Sequence, residues 1–243
     1  MLDINIERTV PSGEVIRRAV CSVHLTSFRA KSRNLYIFVR MTSLMTNIPI
    51  EKHPLESFLP EGARILMLGS FPPKQEKWSM EFFYPNFIND MWRIMGLIFF
   101  NDRDYFVAED SAGRKVKRFD RDRCAAFAAE KGIAMYDTAC EVRRLKDNAS
   151  DKFLEVVRPT DLTELLERIP SCQAIVTTGQ KATDVIIEAF GCEEPAVGEC
   201  ADFLAGDRPM RLWRMPSSSR AYPLSLGKKA EFYRKMFDKE VRF

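Results

Sequence analysis

Four short apolar runs constrain this chain more than any other feature. RILMLG (64–69), GIAMYD (132–137), AIVTTG (174–179) and PMRLWRMP (209–216) are each largely apolar and break at Gly, Asp or Pro. Strands of a parallel sheet read this way, because neither of their faces meets water. Helical patterns lie between them: NDMWRIMGLIFF (89–100), CAAFAAEKG (124–132), DLTELLERI (161–169) with an Asp161-x-x-Glu164 capping box, and QKATDVIIEAF (180–190) closed by Gly191. Ser225 is placed to cap a last helix that runs to about Phe237. This alternation predicts an α/β chain, a three-layer α/β/α domain around a central, mostly parallel four-stranded sheet. Ligands of such sheets bind at the carboxyl ends of the strands. That rule gathers GSFPP, the residues after MYD, TTGQK and MPSSS on one rim.

A length of 243 residues suits one such domain with a full core. Residues 1–44 lack periodicity and read as an N-terminal extension, loosely structured or an over-extended start, with the domain at 45–243. The charged stretch 101–123 breaks the rhythm and reads as an excursion. Residues 1–40 hold seven Lys and Arg against three Asp and Glu, so the net charge of +3 leaves −1 for the remainder. Bulk charge is therefore silent about a nucleic-acid partner. The six cysteines form no C-x-x-C pair, and no metal or other cofactor is expected. His24 and His53 both precede the regular core, which sets histidine chemistry aside there. No apolar run approaches the roughly 20 residues of a membrane helix, and no signal-peptide pattern is visible. The expectation is a cytoplasmic monomer that does not engage membranes. Neither G-x-x-x-x-G-K nor G-x-G-x-x-G occurs, which counts against a nucleotide-binding enzyme.

Two rim segments carry the candidate chemistry: LGSFPPKQEKWSMEFFYPNFINDMWRI (68–94) and RMPSSSRAYPLSLGKK (214–229). Prolines in both fix φ and remove amide donors, so the remaining N–H groups point in set directions. Lys228 and Lys229 fall in the first turn of the last helix, where the helix dipole disfavours cations by a few tenths of a kcal/mol unless an anion is near.

In order, spacing and strand–loop–helix context, these segments resemble the uracil-DNA glycosylase superfamily over roughly residues 62–237. The likeness is closer to its mismatch-specific (thymine/uracil) and hypoxanthine-removing branches. The family's G-x-x-P motif is matched by Gly69-Ser70-Phe71-Pro72, its His-Pro-x-Asn-x-Phe-Trp stretch by FFYPNFINDMW, and its Pro-Ser loop by MPSSSRAYPLSLGKKAEFYRKM. The resemblance implies a monofunctional DNA glycosylase of base-excision repair. Such an enzyme hydrolyses the N-glycosidic bond of a flipped-out base: uracil, thymine opposite guanine, or hypoxanthine. It further implies DNA as partner and no cofactor. Gly69, Ser70 and Phe71 would then meet the base edge and Phe82 or Phe83 its face. Asn89, the match to the catalytic Asn of the hypoxanthine-removing branch, or Asn86 would hold the attacking water. Ser217, Ser218 and Ser219 would grip flanking phosphates, with Lys228 and Lys229 facing the same anion. Arg220, Ala221 or Tyr222 would fill the gap left by the base. Two positions depart from the family pattern: Met215 stands where much of the superfamily has a histidine, and Phe71 where several branches have Asp or Asn.

The residue types fit that chemistry, since the reaction builds an oxocarbenium-like sugar and an anionic base, and needs donors at the base and a positioned water. Plainer readings stand beside it. Phe82, Phe83, Tyr84 and Trp92 are ordinary core residues on base rates, Asn89 is a natural helix cap, and the serines make a turn. The competing class is a catalytically inactive DNA-binding module on the same scaffold. Removal of residues 1–40 is expected to leave base release intact in a duplex-cleavage assay; loss of both folding and release would refute that reading of the N-terminal segment.

Overall fold

The computed structural model describes residues 48–146 and 153–241, so the expectation for residues 1–44 lies outside the described residues. The central sheet contains β2 (Ile65–Gly69), β5 (Ile133–Asp137), β8 (Ala174–Thr177), β9 (Glu199–Ala205) and β10 (Arg208–Arg214), in the order β5-β2-β8-β10-β9. The four strands read from sequence are the parallel ones, with Met67 opposite Met135 on one side and Val176 on the other. The four-stranded expectation is corrected by β9, which pairs antiparallel with β10 and makes the sheet five-stranded and mixed. A two-residue turn, Gly206-Asp207, joins them with Gly206 at φ 62°, a conformation glycine enters without a Cβ penalty. Because β9 is a half-exposed edge strand, ECADFLA lacks the apolar run that marks the others.

Side chains of β2 alternate between two cores. Ile65 and Met67 pack with Trp92, Ile94 and Met95 of α1 (Met91–Phe100), Phe127 of α2 (Arg121–Glu130), and Tyr233 and Phe237 of α5 (Leu226–Glu240). Leu66 and Leu68 face Leu162, Leu165 and Leu166 of α3 (Leu162–Glu167) and Ile186 of α4 (Gln180–Phe190). Helices thus cover both faces of the sheet. Each fully buried aliphatic or aromatic side chain contributes about 1.5–3 kcal/mol, so these two layers are the main source of stability.

Local signals set the helix ends. Asp161 accepts from the Glu164 amide, Ser225 accepts from the Lys228 amide, and Gly191 closes α4 at φ 64°. The last helix passes Phe237 because Glu240 is bound at its end. Its carboxylate takes both Arg211 nitrogens at 2.6 Å and the Trp213 indole N–H at 2.7 Å.

A second, antiparallel sheet, unforeseen from sequence, consists of β1 (Ile50–Lys52), β6 (Ala139–Arg144) and β7 (Leu154–Pro159) in the order β1-β6-β7. Thr138 alone separates β5 from β6, and its amide bonds the Gly69 carbonyl at 2.9 Å. The 101–123 excursion is a hairpin of β3 (Val107–Glu109) and β4 (Lys115–Phe119). No helix among the described residues is long and apolar enough to cross a membrane.

Gly96, within α1, lies against the turn that follows the helix: an added Cβ would stand 2.2 Å from the Asp102 carbonyl oxygen. Overpacking of this kind costs about 1–3 kcal/mol, whereas alanine gains roughly 1 kcal/mol over glycine in a helix. Against an immobile carbonyl the clash dominates. Gly96→Ala is expected to lower the urea midpoint, and an unchanged or raised midpoint would show that the turn yields.

Candidate functional site

A pocket of about 450 Å³ opens where β2, β5, β8 and β10 end. Its walls are the turn Gly69–Pro73, the loop from Phe83 to Asn89, Asp137, the Thr178-Gly179 pair and the loop Ser217–Ala221. All four parallel strands deliver a segment to it, as parallel register requires.

Gly69, Ser70 and Phe71 line the pocket as the sequence suggests. The turn is held from beneath by the buried Arg144 of β6, whose guanidinium donates to the Pro72 carbonyl at 2.6 Å and to Glu51 at 2.8 Å and lies 5.4 Å from the Phe71 ring centroid. Phe83 forms part of the wall. Phe82 does not: it is buried against Phe58 and Trp92, centroids 5.1 and 6.0 Å away, so a base-stacking role for it is withdrawn. The Trp92 indole N–H ties this loop to α1 through the Phe83 carbonyl at 2.9 Å.

Asn86 and Asn89 both reach the pocket. The Asn86 side-chain oxygen accepts from the Ile88 amide, and that of Asn89 accepts from the Met91 amide at 2.9 Å, at the start of α1. The N-cap position itself belongs to Asp90, whose side chain makes no cap bond, so Asn89 supports the first helical amide from one residue outside the helix. A carbonyl oxygen has a second lone pair, so this bond leaves it one further acceptor site.

Ser217, Ser218, Ser219 and Arg220 line the opposite wall. Two loop amides are already engaged, Ser219 N–H by Ser217 Oγ and Ala221 N–H by Ser219 Oγ, and the Ser218 carbonyl accepts from the Asp90 amide at 2.9 Å. Tyr222 lies outside the pocket lining and donates its amide to Ser219. Lys228 is exposed and paired with Glu231 on its own helix at 2.8 Å. Lys229 corrects the expectation most sharply. It is 0% exposed, and its ammonium donates to Asp90 at 2.9 Å and to the Ser219 carbonyl at 2.7 Å. The anion that offsets the helix dipole at this lysine is Asp90. Met215 is buried, with its amide on Thr177.

The setting aside of histidine is also corrected. His53 follows β1, and its amide bonds the Cys140 carbonyl at 2.8 Å. This carries its ring to Asp137 at the end of β5, with Nε2 to Oδ2 at 2.9 Å. The ring is enclosed by Phe71, Tyr136 and Phe83. Its Nδ1 lies 2.7 Å from the Leu55 carbonyl oxygen and 3.2 Å from the Leu55 amide, which fixes the ring's orientation. The contact with Nε2 engages Oδ2 and leaves Oδ1 out of it. Oδ1 has no hydrogen-bond partner among the described residues, and Asp137 is a wall residue. The pocket thus presents a fixed acceptor. The polar end of the apolar run GIAMYD was the sequence signal for Asp137; nothing local marked His53.

Tyr84 and Thr178 complete the wall, with the hydroxyls 3.5 Å apart. Burial pushes the Tyr84 hydroxyl well above its ordinary range, so it stays protonated at neutral pH. Its backbone sits at φ 53°, a left-handed conformation unusual for a bulky residue and typical of strained sites.

No family model matches the chain, and comparison with curated proteins gives no match. Among solved structures it is similar to an NMR structure described as "a putative Uracil DNA glycosylase from Methanosarcina acetivorans". The TM-score is 0.51 at 19% identity, covering 78% of this chain and 99% of that one. The two share a fold.

A Cβ at residue 69 would lie 2.4 Å from Asp137 Oδ1. Gly69→Ala is therefore expected to push the carboxylate off His53, read as loss of the downfield imidazole N–H resonance in the proton NMR spectrum. Persistence of that resonance would mean that the pair moves as a unit.

Proposed function

We propose that the chain is a DNA glycosylase that hydrolyses the N-glycosidic bond of a base flipped out of the duplex. The observation that carries this reading is the pocket itself: one aromatic wall at Phe83, one fixed acceptor at Asp137, and a serine loop with Arg220 at its rim, all at the carboxyl edge of a parallel sheet. The shared fold with a protein described as "a putative Uracil DNA glycosylase" supports it, as does the motif resemblance. A flipped base enters beside Phe83, at a cost of a few kcal/mol that is smaller at a mismatch. Asp137 Oδ1 takes a ring N–H of the base, and backbone N–H groups of the Ser70–Phe71 turn meet its carbonyl edge.

Asn89 is the water-holding residue in this proposal, with Asn86 as its neighbour on the same loop. The water donates to the second lone pair of the Asn89 side-chain oxygen, which orients it, and attacks the sugar carbon as the bond to the base breaks; its surplus proton passes through solvent to the departing base anion. The electron pair of that bond leaves with the base, where donors in the turn stabilise it. With Phe71 and Met215 apolar, the site lacks the ionisable groups that many family members use at those positions, and a slow reaction follows. The same two residues favour the second reading, a DNA-binding module without catalysis. Uracil, thymine opposite guanine and hypoxanthine are the candidate bases within the proposal.

Base release from labelled duplexes carrying each of these three bases, followed by alkaline strand cleavage, separates the readings. Wild type is expected to release at least one of them, and Asn89→Ala to slow release by about 100-fold, the scale on which losing the position of a reactant costs rate. Retained DNA binding with no release from any duplex would establish the recognition module instead.

A further inference from the structure

The buried charge cluster behind the serine loop points to a role that neither the phosphate-grip expectation nor the fold assigns. Asp90 immediately follows Asn89 and is 6% exposed. It makes three connections across the pocket: its amide to the Ser218 carbonyl at 2.9 Å, Oδ2 to the Lys229 ammonium at 2.9 Å, and Oδ1 to Arg220 Nε at 3.6 Å. Lys229 completes a ring by donating to the Ser219 carbonyl at 2.7 Å. Tyr233, one turn further along α5, donates its hydroxyl to the Pro216 carbonyl at 2.9 Å. On the other side Arg93 donates to the Phe87 carbonyl at 2.7 Å and to the Asn89 carbonyl at 3.4 Å. The loop bearing Asn89 and the loop bearing the serines are thus joined through one carboxylate and one ammonium.

Stability alone does not account for this arrangement. Desolvating both partners of a buried pair offsets most of their attraction, and apolar replacements of similar volume are often neutral. What the pair adds is direction: three hydrogen bonds at fixed angles hold two irregular loops in one register. We propose that Asp90 and Lys229 are positioning residues for base release, which fix Asn89 against Ser217–Ser219, and that Lys229 never meets phosphate. Arg220, half-exposed at 53% and held to Asp90 only at 3.6 Å, is the cation of the cluster that reaches DNA. This inference rests on the glycosylase reading for its catalytic part only.

The test is the double variant Asp90→Asn/Lys229→Met, which leaves no unpaired buried charge. Three quantities are read: single-turnover base release at saturating enzyme, the salt dependence of duplex binding, and hydrogen exchange of the Ser217–Arg220 amides. Release is expected to fall about tenfold or more, as misplacement of a catalytic group does. The salt slope should match wild type and the loop amides should exchange faster. A slope shallower by about one, with release kept, would make Lys229 a phosphate ligand and overturn the proposal. Release, slope and exchange all unchanged would overturn it equally, leaving a packing role. Lys229→Met alone, which keeps the Asp90 amide on Ser218 and its carboxylate beside Arg220, is the second variant should the double one fail to fold; the same direction is expected, and an unchanged release rate overturns. If wild type releases no base, the glycosylase reading fails, and exchange decides alone: faster loop exchange upholds the positioning role and unchanged exchange removes it.

Discussion

Strand β2 is hydrogen-bonded in parallel on both of its edges, to β5 and to β8, and that single constraint organises the rest of the molecule. Parallel pairing forces the strands to end on one side, so Gly69, Asp137 and Thr177 stop within one register of each other. Alternation along β2 then divides the core into two layers and obliges helices to cover both faces. The pocket is the place where these strands stop and the loops that follow them meet. Its position follows from backbone geometry, whereas its chemistry depends on the side chains those loops carry.

Those side chains are arranged by polar contacts that reach in from outside the central sheet. Arg144 supports the Gly69–Pro73 turn, His53 anchors Asp137 through Oδ2, and Lys229 joins the Asn89 and serine loops. Each is buried, and each meets a carboxylate or a carbonyl rather than water. A buried polar or charged group without such a partner is penalised, so the positions of Glu51, Asp137 and Asp90 and those of their partners determine one another.

Much of the scaffold was legible because it rests on local patterns. The apolar runs became β2, β5, β8 and β10, and Asp161, Gly191 and Ser225 cap where their types predict. Half-buried strands of three to seven residues, which lack an apolar run, were not legible, and β1 in addition pairs with residues some ninety positions away, which no window of sequence records. His53 was missed for the same reason, since only this pairing carries it to Asp137. Lys229 and Lys228 look alike in sequence, yet one points into the protein and one into solvent. Periodicity placed them on a helix, but the packed loop beneath decided which lysine is buried. Phe82 and Phe83 divide similarly, because the Trp92 bond to the Phe83 carbonyl fixes which ring turns inward.

Strand β1 is three residues long and, among the described residues, lies at an edge and is paired on one side. Yet Glu51, which holds Arg144, belongs to it, and His53 follows directly after it. A short edge strand opens at a free energy far below that of global unfolding. Detachment of those few residues would take Glu51 from Arg144 and His53 from Asp137 while the core and the helices stay intact, so the shape of the pocket and the stability of the fold can be lost separately.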